Sequence, residues 1–180
     1  MPRVRKPLEF ITNDSICCEI GVWMGDFSKE ILERKPKMLY LIDPWLFQSE
    51  FPGRWYGGKK AKTQNEMDTI YNNIVEKYEK FPNVHIIRKK SEDAFQIISD
   101  KFFDWIYIDG NHEYEFVLKD LENSRLKVKN NGYITGDDYI WKNNNGIKTV
   151  KKAVDEFVAK YDLDITIYPH GQFVIINKID

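Results

Sequence analysis

Short apolar runs that end in a carboxylate, each followed by a stretch able to form a helix, recur along this chain and constrain its fold more than any other feature. Ser15-Ile16-Cys17-Cys18 leads to Glu19, the run from Met38 to Ile42 to Asp43, that from Phe103 to Ile108 to Asp109, and that from Gly132 to Gly136 to Asp137 and Asp138. Runs of this length and composition suit strands buried on both faces. Strand and helix in alternation imply a mostly parallel sheet with helices on both faces. In such sheets ligands sit beyond the carboxyl ends of the strands, near the switch in strand order. Glu19, Asp43, Asp109, Asp137 and Asp138 all fall at those ends. Five carboxylates on one edge repel each other, which calls for cationic or hydroxyl-bearing ligands to offset them.

Helical period predicts helices over Ser28 to Arg34, about 63 to 80, Ser91 to Ile98 from a serine cap, Tyr114 to Lys127 and Lys148 to Tyr161, with a further strand over Val84 to Arg88. The ending changes character. Asp164 to Tyr168 and Gln172 to Asn177, joined by Pro169-His170-Gly171, read as a hairpin that sets an antiparallel strand at one side of the sheet. The segment from Trp45 to Lys60 is too long for an ordinary connection and reads as a lid. It holds Phe47, Arg54, Trp55 and Tyr56, a content able to stack on a sugar face and grip a phosphate, and Gly53, Gly57 and Gly58 predict that it moves.

The stretch Glu19-Ile20-Gly21-Val22-Trp23-Met24-Gly25-Asp26-Phe27-Ser28 places two glycines on a strand-to-helix turn. Glycine there takes positive φ and lets a ligand approach the main chain without meeting a Cβ. A dinucleotide fingerprint requires a further glycine, and Glu19 and Asp26 would repel a pyrophosphate. A tight turn with no ligand is the alternative reading of this loop.

With 180 residues and 42% hydrophobic content, the chain is expected to form one domain over residues 1–180. Its 27 basic and 28 acidic residues nearly cancel, so neither nucleic acid nor an anionic membrane is expected as a partner, and the basic clusters Arg3 to Lys6 and Arg88-Lys89-Lys90 read as solvated surface. Cys17 and Cys18 are adjacent in a strand, point to opposite faces and are expected to be reduced. No apolar run reaches the length of a signal peptide or a membrane span, which predicts a soluble, cytoplasmic protein.

At these motifs the chain resembles the class I S-adenosylmethionine-dependent methyltransferases from about residue 15 onward, and within them the metal-dependent sugar and macrocin O-methyltransferases. The resemblance implies a Rossmann-like, seven-stranded sheet and a cofactor site of Glu19, Gly21, Trp23, Gly25 and Ser28 for the methionine part, Asp43 for the ribose, and Ser91, Asp93 and Ala94 for the adenine, with Asp109 beside them. Tyr107-Ile108-Asp109-Gly110-Asn111-His112 and Gly136-Asp137-Asp138-Tyr139 resemble the acidic signature of the metal-dependent members. This implies Asp109, Asp137 and Asp138 as ligands of a divalent ion, with magnesium expected from the oxygen donors. His112 is the expected base, Asn111 being unable to serve at neutral pH. The expected reaction is methyl transfer to a hydroxyl of a small molecule, a sugar or polyol, with a second copy of the chain as a candidate to complete the pocket. The alternatives are a methyltransferase-like fold that binds cofactor or partner without catalysis, and an NAD-dependent oxidoreductase, which the missing third glycine disfavours. Asp137 and Asp138 as turn caps, and His112 as a plain helix N-terminal residue, are the corresponding structural alternatives.

Overall fold

A computed structural model describes residues 5–179. Seven strands form one sheet: β1 (Ile16–Ile20), β2 (Met38–Ile42), β3 (Val84–Ile87), β4 (Phe103–Ile108), β5 (Val128–Gly136), β6 (Ile165–Ile167) and β7 (Phe173–Ile176), in the order β3-β2-β1-β4-β5-β7-β6. The first five are parallel, and β7 runs against both β5 and β6. This is the expected sheet with its closing hairpin. The helices are α1 (Asp26–Glu33), α2 (Gln64–Tyr78), α3 (Ser91–Phe95), α4 (Tyr114–Lys127) and α5 (Thr149–Tyr161).

Alternation along β1 separates two apolar layers, as a period of two requires. Cys17 lies with Phe27, Ile31, Met67 and Ile74 of α1 and α2, whereas Cys18 and Ile20 lie with Phe95, Leu121 and Phe157 of α3, α4 and α5. Both thiols are free and buried. The chain builds β1, β2 and β3 outward, then crosses back to β4 on the other side of β1. That crossing is the switch point, and the crevice above it lies between β1 and β4.

Three local expectations are corrected. Lys90, not Ser91, is the N-cap residue of α3, and the helix ends at Phe95. β5 starts at Val128 rather than Gly132: Val128 pairs with Phe103, and the register shifts before Tyr133 pairs with Trp105. Trp45 is no part of a lid: it is fully buried, its indole donates to the Trp23 carbonyl at 3.0 Å, and its ring packs on Tyr71. The loop proper begins after it. Gln64 pins its start, accepting from the Phe47 amide and donating to the Trp45 carbonyl, each at 3.0 Å. Among the described residues no helix is long and apolar enough to cross a membrane.

Candidate active site

The glycine loop is shaped by its protein neighbours. A Cβ on Gly21, at φ +85°, would stand 2.1 Å from the Asp109 carbonyl oxygen, so this glycine lets the end of β1 approach the end of β4. Gly25 leads α1 in the left-handed region, and its missing side chain makes room for Ile74 and Tyr78 of α2. The Tyr78 hydroxyl donates to the Gly25 carbonyl at 2.6 Å. Both glycines take positive φ, as expected, and each also admits a close approach of protein.

Asp43 braces the same loop. Its carboxylate accepts from the amides of Val22 at 3.0 Å, Trp23 at 3.1 Å and Trp45 at 2.7 Å. Two oxygens offer about four lone-pair sites, so acceptor capacity remains. Burial raises its pKa, against the three amides and Arg88. Glu19 is not on the open edge: it is buried within β1, where it accepts from the Ser28 hydroxyl. Burial drives its pKa well up, opposed by Ser28 and reinforced by Asp109 and Asp43. Trp23, at φ +52°, faces Trp55 of the loop with ring centroids 5.7 Å apart.

Of the residues expected near an adenine, Asp93 is exposed and Ala94 is buried in the core. Ser91 donates its hydroxyl to Asp120 of α4. Asp120 was not foreseen, although a signal existed: it shares the helix face of Val117, Leu121 and Ser124, all buried. Burial raises its carboxyl to about 6, against the Ser91 hydrogen bond and Lys119. The unfolded carboxyl ionises near 3.8, so the folded state binds the extra proton between about pH 4 and 6 and stability falls as pH rises through that window. Asp120→Asn is expected to remove this fall and to be more stable than the wild type at pH 8 by about 1–3 kcal/mol. Urea denaturation at pH 4.5 and 8 checks this; a variant no more stable than the wild type at pH 8 would contradict it.

Beyond β4 and β5 the chain brings together Asp109, His112 and Asp138. The imidazole Nε2 lies 3.4 Å from Asp109 Oδ1 and 3.3 Å from Asp138 Oδ2, and one donor atom of each residue lies within 4.8 Å of the others. Thr149 donates to the His112 carbonyl at 2.6 Å, Asn111 accepts from the Glu113 amide at 2.9 Å, and the Trp141 ring stands edge-on to the imidazole with centroids 5.3 Å apart. Burial works against a charged imidazole, yet the hydrogen bond to Asp109 and the charges of Asp138 and Asp109 outweigh it and raise its pKa, with Arg54 opposing. His112 Nδ1 and Asn111 Nδ2 are buried with no hydrogen-bond partner among the described residues.

Asp137 is not one of those three, although it lines the same small cavity as Asn111 and His112 and accepts from the Asp138 amide at 2.8 Å. It is buried and accepts from Arg5 at 2.7 Å and from the Tyr107 hydroxyl at 3.2 Å. Arg5 also covers the Phe27 ring at 4.8 Å, which corrects the solvated-surface reading for this residue; Arg3 of the same run lies outside the described residues. Arg54, expected to grip a phosphate, pairs with Glu113 at 2.8 Å and lies 4.2 Å over the Trp141 ring. The loop thus reaches the start of α4 and the segment after β5. Gly57 lets the loop fold closely on itself, since a Cβ there would stand 1.9 Å from the Phe51 carbonyl oxygen.

Comparison with known proteins agrees with this architecture. Residues 18–139 match the profile of a family described as a methyltransferase domain. An rRNA methylase from Streptococcus thermophilus has a similar structure, with 15% identity, a TM-score of 0.58, and 100% of this chain and 99% of that one covered. The O-methyltransferase NovP is 19% identical at a TM-score of 0.60, over 92% of this chain and 72% of its own. Fibrillarin from Aeropyrum pernix, solved with natively bound S-adenosyl-L-methionine, is 11% identical at a TM-score of 0.60, over 97% and 69%. No curated protein sequence matches the chain. At these identities the solved structures speak for the fold alone, and because one is described as an rRNA methylase the exclusion of nucleic acid rests only on charge balance. The family profile covers more than half of the residues, from the first strand to the turn after β5, and the chain belongs to this methyltransferase-domain family.

Proposed function

We propose that this chain is an S-adenosylmethionine-dependent O-methyltransferase that acts on a hydroxyl of a small molecule, a sugar or polyol, with the help of a divalent ion. The observation that supports this most is the convergence of Asp109, His112 and Asp138 beside the switch point. Two carboxylates facing one imidazole at these distances are held best with a proton or a positive charge among them. A proton on His112 is one solution, and a hard divalent cation is the other. The donor set fits such an ion, with Asp109 and Asp138 as its carboxylate ligands. Asp137, which the resemblance adds to the set, is here committed to Arg5.

The crevice also fits the cofactor by charge. Asp43 and Asp109 follow β2 and β4 at the crevice and Glu19 is buried in β1 between them, a negative setting that suits a sulfonium and repels a pyrophosphate. S-adenosylmethionine, when bound, supplies an electrophilic methyl group, and a divalent ion lowers the pKa of a hydroxyl bound to it. The chain's own residues do the rest. Gly21 to Gly25 and Ser28 shape the methionine side, Asp43 offers its remaining lone pairs to the ribose, and Ser91, held by Asp120, stands at the adenine end. His112 takes the acceptor's proton at Nε2, the nitrogen that faces both carboxylates. Trp141 and the Arg54–Glu113 pair wall the acceptor side with an aromatic plane and a neutralised cation, which favours an uncharged polyol over a phosphate ester.

The test is methyl transfer from tritiated S-adenosylmethionine to a panel of sugars, polyols and catechols, with ribosomal RNA as a parallel acceptor. Label on a small hydroxyl compound, lost with chelator and restored by Mg²⁺, is the expected result. Label on RNA alone would replace the acceptor class, and label on nothing would leave the binding-only alternative in its place.

A further inference from the structure

Tyr56 lies in the 3-10 turn Trp55–Gly57 of the loop above the crevice. Its carbonyl accepts from the Gln48 amide at 3.0 Å, and its ring stands edge-on to Phe51 with centroids 6.3 Å apart. Backbone and ring are therefore fixed. The hydroxyl is different: it is buried, and it has no hydrogen-bond partner among the described residues. Its chain neighbours place it: Arg54 reaches Glu113 at the start of α4, and Trp55 faces Trp23, whose amide donates to Asp43 at the end of β2.

Neither neighbouring group accounts for it. Arg54 is spent on Glu113 and Trp141, and Asp43 accepts three loop amides. Burial, with the acidic neighbours and against Arg54, pushes the phenol up to about 12, so at neutral pH it is an O–H that can donate as well as accept. A buried hydroxyl without a partner is destabilising in the free protein. A hydroxyl-bearing ligand seated beside Asp43 would remove that cost.

We propose that the Tyr56 hydroxyl is a cofactor-binding group, which hydrogen-bonds the ribose of S-adenosylmethionine from the loop side, opposite Asp43. The inference rests on the cofactor reading above and adds to it a residue that ties the loop to the bound ligand. Removing the hydroxyl while keeping the ring tests it. In the full chain, Tyr56→Phe is expected to melt at the same or a higher temperature than the wild type without ligand, because an unpaired buried oxygen has gone. By calorimetry it should bind S-adenosylhomocysteine about 3- to 10-fold more weakly, the effect of one hydrogen bond. The 2′,3′-dideoxy analogue should bind variant and wild type alike. A structural hydroxyl would show the reverse pattern, a lower melting temperature with unchanged affinity, and either half of that pattern overturns the inference. If the wild type itself fails to bind S-adenosylhomocysteine, the cofactor reading falls and takes this inference with it.

Discussion

A His112→Ala variant is expected to transfer methyl groups about 10² to 10⁴ times more slowly than the wild type, the usual contribution of a positioned general base. Its affinity for S-adenosylhomocysteine should change little, because, Asp109 aside, the proposed cofactor residues lie on β1, the glycine loop, the turn after β2, the loop at Tyr56 and the start of α3. The expectation rests on position. The Nε2 atom stands 3.4 Å from Asp109 and 3.3 Å from Asp138, where an acceptor hydroxyl would reach the same carboxylates or the ion they hold. Thr149, Asn111 and Trp141 fix the backbone and ring around it, so alanine removes the base without loosening the turn. Turnover within a few-fold of wild type in steady-state assays would take His112 out of the mechanism and reduce it to a turn residue.

Gly21→Ala is expected to be more damaging still, and for a reason unrelated to chemistry. The added methyl would stand 2.1 Å from the Asp109 carbonyl oxygen and 2.7 Å from Gly110 Cα, both backbone atoms, at a φ of +85° that alanine resists. The ends of β1 and β4 would have to part, and the Asp109 amide bond to the Ile20 carbonyl, 2.8 Å long, goes with them. A loss above about 4 kcal/mol, a quarter or more of the roughly 5–15 kcal/mol that holds a typical domain, should lower the urea midpoint strongly and weaken S-adenosylhomocysteine binding. Circular dichroism and urea titration check this, and a folded variant with a near-wild-type midpoint would contradict the geometry.

The sheet was legible because its determinants are local: apolar runs, helical period and turn residues lie side by side in the chain. The meeting of Asp109 and His112 is legible for the same reason, the two being three residues apart on one turn. Asp137 and Asp138 illustrate where legibility ends. Both follow β5, where Asp138 turns into the left-handed region at φ +61° while Asp137 meets Arg5 and Tyr107. No local pattern announces that Arg5, far away in the chain, takes Asp137. Ser91 with Asp120, and Arg54 with Glu113, are pairs of the same kind. Periodicity shows which face a residue occupies and not which distant partner meets it there. Trp45 was misread for a related reason: Pro44 marks the end of β2, but nothing nearby in the chain announces that the next side chain turns back into the core.

The central claim is that the crevice between β1 and β4 holds S-adenosylmethionine beside a site for a divalent ion. Calorimetric titration of the wild-type chain with S-adenosylhomocysteine, repeated with Mg²⁺ and with chelator and with NADH as the control ligand, tests it most directly. The account predicts binding of S-adenosylhomocysteine with and without the metal, a separate heat for Mg²⁺, and none for NADH. Binding of NADH in place of S-adenosylhomocysteine, or silence toward both, would contradict it.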